Sequence, residues 1–86
     1  MLYKVYVLYA PSYNKIYVGL TTGLGDSMVS HNGAGGDDST GKFRPWTLIH
    51  MELFNEESEA MLRKTFLESQ EGLTYVRSDI LPLFDF

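Results

Sequence analysis

Two tyrosines stand eleven residues apart, Tyr6 in Val5-Tyr6-Val7 and Tyr17 in Tyr17-Val18-Gly19, each inside a run that reads as a β-strand. A phenol carries a hydrogen-bonding group on a large packing ring, so such a pair either lines a pocket or fills a core. His31 and His50 are the only imidazoles. His31 ends a helical pattern, where it lines a pocket or interacts with the negative end of the helix dipole. His50 falls inside a strand pattern and reads as structural. Asp37-Asp38, with Asp26, offers carboxylates, but a calcium site needs more ligands at defined offsets, so these read as solvated loop acids. The glycine-rich stretch 33–41 lacks the phosphate-loop spacing and its lysine-serine pair, and Asp37-Asp38 would repel a phosphate. With no cysteine, zinc-cysteine sites and disulfides are excluded.

These groups must be positioned by a few short elements. Residues 2–9 are β-branched and aromatic, which predicts a central strand able to bury both faces. Ala10-Pro11-Ser12-Tyr13-Asn14 has turn chemistry, and Lys15–Leu20 completes an antiparallel hairpin. Leu24, Met28 and Val29 lie at helical spacing, predicting a short helix over about 23–31, followed by a loop over 32–41. Alternation from Trp46 to Phe54 predicts a third strand, with Trp46, Leu48 and His50 on one face and Thr47, Ile49, Met51 and Leu53 on the other. Asn55 reads as the cap of a helix over about 56–70, whose early glutamates suit its dipole. The order β-β-α-β-α makes an α+β class with a small three-stranded antiparallel sheet. An apolar tail, about 74–86, is expected to fold back and complete the core.

Eighty-six residues make one domain spanning 1–86, with a modest core. No apolar stretch approaches the roughly 20 residues that span a bilayer, and no signal peptide is visible, so a cytoplasmic protein without membrane contact is expected. The net charge is −4, and the seven basic residues are scattered. Lys42, Arg44, Arg63 and Lys64 are the four that a fold could bring together. DNA binding is expected to be weak, because neutralised phosphates supply most non-specific affinity.

Tyr6, Tyr17 and Gly19, followed by Leu24, His31-Asn32, Arg44-Pro45-Trp46 and Ser58-Glu59-Ala60, resemble the GIY-YIG nuclease domain in its small stand-alone form. The resemblance covers roughly residues 3–68. It implies the same α+β fold and a site for phosphodiester hydrolysis. In that family the strand tyrosines position or deprotonate the attacking water and a histidine assists. An arginine on the first helix offsets developing charge, and a glutamate on the long helix holds a divalent cation. Tyr6 and Tyr17 match the tyrosines, His31 the histidine, and Gly19 the glycine where a side chain would crowd the pocket. The arginine's position, four before His31, is Ser27. The glutamate's position, four after Ala60, is Lys64. Arg44 and Arg63 join Gly19 as candidate binding residues.

A lysine in place of a magnesium ligand removes an oxygen donor and adds positive charge beside the cation's place. Losing a charge-stabilising arginine in phosphoryl transfer costs on the order of 10³–10⁵ in rate. Asp26 adds a negative charge beside Ser27. The expectation is therefore a catalytically degenerate nuclease-like domain, used for binding a partner or a nucleic-acid end, with no cofactor. The alternative is an endonuclease dependent on Mg²⁺ or Mn²⁺ that uses Glu59 or Glu68 for metal, with Arg63 or Arg44. A second alternative is a protein-interaction module that self-associates or holds a partner through Ile80, Leu81, Leu83, Phe84 and Phe86.

Overall fold

Val5 and Val7 point to one side of a strand, Tyr6 and Leu8 to the other, and all four are buried. Only a middle strand covered on both faces meets that description. This strand, β1 (Tyr3–Ala10), lies between β2 (Lys15–Thr21) and β3 (Thr47–Phe54) in an antiparallel sheet of order β2-β1-β3. The computed structural model describes residues 2–23 and 46–84. The helix expected from Leu24 to His31 and the loop over 32–41 lie outside them.

The β1–β2 turn closes with Tyr13 N–H donating to the Ala10 carbonyl at 3.1 Å. Asn14 takes φ of 53°, a left-handed conformation that asparagine tolerates better than most side chains. Its Oδ1 accepts from the Tyr9 hydroxyl and from an Arg77 Nη, both at 2.8 Å. A second Arg77 nitrogen reaches the Asn14 carbonyl at 3.2 Å. The far end of the chain therefore holds the hairpin tip.

β3 departs from simple alternation. Val7 pairs with His50 but Leu8 pairs with Leu48, so Ile49 is an extra residue bulged out of the ladder. The faces expected from period two are corrected accordingly. Ile49 joins the core on the Val5–Val7 side, and His50 pairs with Val7 on that side rather than with Leu48 on the other. Beyond the bulge, Met51 lies opposite Tyr6 and Leu53 opposite Lys4.

α1 (Glu57–Glu68) begins at Glu56, which makes no side-chain capping bond. Asn55 is therefore not the cap, although Glu57 and Glu59 do sit in the first turn as the dipole favours. Ala60 and Leu67, seven residues apart, bury the helix against Val5, Val7, Val18 and Ile49. The helix stops one residue before Ser69, which caps a second helix, α2 (Gln70–Tyr75), by accepting from Gly72 N–H at 3.1 Å. A π-helical turn (Val76–Ile80) and a 3₁₀ turn (Leu81–Leu83) follow directly. The tail thus begins as helix, and Val76 and Ile80 complete the core. Full burial of side chains such as Leu8, Leu67 and Val76 contributes about 1.5–3 kcal/mol each.

Candidate functional site

The sheet has two unlike faces. On the face away from α1, Tyr6, Leu8, Ala10 and Trp46 form a buried cluster flanked by Tyr17 and Leu48. The Tyr6 and Tyr17 rings are 6.3 Å apart and tilted, and Tyr17 meets Trp46 edge-on at 6.2 Å. Gly19 lies directly across from Tyr6 in the ladder. A Cβ there would stand 2.3 Å from both Cζ and Oη of Tyr6, so only glycine lets that ring lie flat over β2. Tyr6, Tyr17 and Gly19, expected together from their spacing, are together. Tyr6 is only 3% exposed, which makes it as much a core residue as a surface one.

Of the candidate residues on α1, Arg63 engages the other side. Arg63 Nε donates to both oxygens of Glu52 on β3, at 2.9 and 3.1 Å, and His50 Nε2 donates to the same carboxylate at 2.7 Å. The guanidinium also lies over the rings of Phe66 and Tyr75, 5.1 and 5.8 Å from their centres. Arg63 is thus a strut between helix and sheet. His50 has the structural setting its position suggested. Lys64 Nζ lies 2.9 Å from Glu68 Oε2, one helical turn on. Glu59 is exposed in the first turn of α1.

Ser27, His31 and Arg44, with Asp26 and Lys42, lie outside the described residues, as does Phe86. Ile80, which the interaction-module alternative assigned to a partner, is instead a core residue at 4% exposure, in line with a tail that folds back. Leu81 packs against that core, while Leu83 and Phe84 are exposed. An open cleft of about 670 Å³, lined by Ser69, Gln70, Glu71 and Thr74, lies at the α1–α2 junction rather than at the tyrosines. Among the described residues no three metal-ligating side chains converge, and no helix is long and apolar enough to cross a membrane.

Glu52 is the residue that sequence reasoning missed. No sequence signal marks it: it lies two positions from His50 and eleven before Arg63, but the bulge and the arrival of α1 are what bring the three together.

The model of the GIY-YIG catalytic domain matches residues 2–72. The UPF0213 protein SH2523 of Staphylococcus haemolyticus (strain JCSC1435) is 37% identical over 62 residues, 67% of this chain and 76% of that protein. The solution NMR structure of the UPF0213 protein BH0048 from Bacillus halodurans shares the fold. It matches at a TM-score of 0.55 and 24% identity, over 91% of this chain and 84% of that one.

Proposed function

The chain belongs to the GIY-YIG family, and from that premise we propose that it is a nuclease-type domain with its hydrolytic chemistry lost and its tyrosine face kept for binding. The observation that carries this reading is Lys64. The family resemblance puts a metal-binding glutamate at its position, and an ammonium has three donors and no lone pair for a cation. Glu68, the nearest carboxylate along the helix, is taken by that same ammonium at 2.9 Å. These donors do not fit Mg²⁺ or Mn²⁺.

What remains at this face is the half-buried ring of Tyr17, backed by the buried rings of Tyr6 and Trp46. Aromatic faces stack on unpaired bases with little regard to sequence. A net charge of −4 keeps the sequence-independent phosphate attraction small. We therefore favour a nucleic-acid end with unstacked bases over continuous duplex as the ligand.

The test restores both missing groups. Ser27→Arg with Lys64→Glu is expected to give Mg²⁺-dependent cleavage that neither single variant shows. A folded double variant that binds Mg²⁺ yet cleaves nothing would remove the inherited-site reading.

A further inference from the structure

Among the described residues, β3 pairs only with β1, and its outer edge meets no other strand. An outer strand offers a row of backbone N–H and C=O groups to any second strand. Proteins blunt such edges with lysine, proline, bulges or inward-pointing charge. Thr47–Phe54 contains neither lysine nor proline. Its one carboxylate, Glu52, already has Arg63 and His50 as partners. The bulge at Ile49 disturbs only the first half, leaving His50–Phe54 regular. On the face away from α1 that stretch carries Met51 and Leu53, 40% and 52% exposed.

We propose that this edge pairs with the same edge of a second copy of the chain, antiparallel, about a two-fold axis through Met51. Charge selects the register. Centring the pair on residue 51 puts His50 opposite the partner's Glu52, and Glu52 opposite the partner's His50. Centring it on residue 52 puts two carboxylates face to face, which destabilises a strand pair. Centring it on residue 53 sets each carboxylate against the partner's Phe54. Only the first choice matches unlike groups, and a two-fold makes each match twice. Directly opposed residues share a face. The four His and Glu side chains therefore alternate on the helix side, and the two Met51 side chains meet on the other, beside Leu53. Three residues a side, His50, Met51 and Glu52, meet within the regular part of both strands, since Leu53 falls opposite the bulged Ile49 of the second copy. The contact is small, in the class of weak interfaces burying less than about 1,200 Å². The association is accordingly expected only at high protein concentration.

The chain has no cysteine, so a single introduced thiol reports its own encounters. Opposed residues in an antiparallel pair have Cα atoms about 4.5–5.5 Å apart, within the span of a disulfide. Met51→Cys is expected to form a disulfide-linked dimer on mild oxidation. It should do so at least on the order of tenfold faster than Leu62→Cys, a more exposed thiol on α1, because the pair raises its effective concentration. In sedimentation equilibrium, the mass of the unmodified chain should rise toward two copies as concentration approaches about 1 mM, and Met51→Lys should abolish the rise. Equal cross-linking of the two thiols, faster cross-linking of Leu53→Cys, or a rise that survives Met51→Lys would each overturn the proposal. So would a mass that stays at one chain throughout.

Discussion

A single methyl group at Gly19 tests how the tyrosine face is built. The added Cβ would fall 2.3 Å from the Tyr6 ring, and that ring is buried, so it must swing out or β2 must shift. Gly19→Ala is expected to lower stability by about 1–3 kcal/mol in urea unfolding, the usual cost of overpacking. A neutral result would mean that Tyr6 does not lie over Gly19. The family resemblance implied that a side chain at Gly19 would crowd the pocket, and the hairpin register sets Gly19 opposite Tyr6. Glu52 was not legible, since a lone glutamate in a strand looks like a solvated one. Its role depends on the bulge that turns His50 toward the helix side and on Arg63 arriving from α1. Glu52→Ala leaves Arg63 and His50 without their shared acceptor. The pair is about three-quarters buried. A loss of about 1–2 kcal/mol is therefore expected, between the values for exposed and buried ion pairs.

The junction of α1 and α2 is the part of the fold that local sequence least foretold. Gly72, Thr74, Tyr75 and Val76 all have modest helix propensity, and a glycine inside a helix normally costs about 1 kcal/mol relative to alanine. The structure explains the glycine. A Cβ at residue 72 would lie 2.0 Å from the Phe66 carbonyl oxygen and 2.5 Å from the Leu67 Cα. Backbone cannot step aside as a side-chain tip can, so Gly72→Ala is expected to cost about 3 kcal/mol or more, above Gly19→Ala. Tertiary packing likewise keeps the following turn helical, because Val76 and Ile80 must reach Val5, Val7 and Leu67. Ile80→Ala should lose about 2–5 kcal/mol. By contrast, Leu83→Ala, at a residue 80% exposed, should stay within about 0.5 kcal/mol. Equal effects from the two would contradict the division of the tail into a core part and a surface part. The three strands were read to within one residue at each end, because alternation and turn chemistry agree there. The bulge escaped, since nothing in the run Leu48-Ile49-His50 marks which residue is extra.

The molecule as a whole keeps the frame of its family while its charge runs against the family's usual substrate. A chain of net charge −4, with Arg63 and Lys64 both engaged by carboxylates, presents little to a phosphate backbone. Fluorescence anisotropy on duplex DNA is expected to give a Kd no tighter than the non-specific range of about 10⁻⁴–10⁻⁶ M at physiological salt. Single-stranded ends should bind more tightly if the tyrosine face stacks bases, and Tyr17→Ala should remove that difference. The central claim, that the hydrolytic function is gone from this scaffold, is met most directly by one assay. The unmodified chain would be incubated with duplex, single-stranded and branched DNA in Mg²⁺ and in Mn²⁺, beside Tyr17→Phe as the control for contaminating nuclease. The account predicts no cleavage above that control on any substrate. Cleavage that disappears in Tyr17→Phe would contradict it and make the protein a working nuclease with a rearranged site.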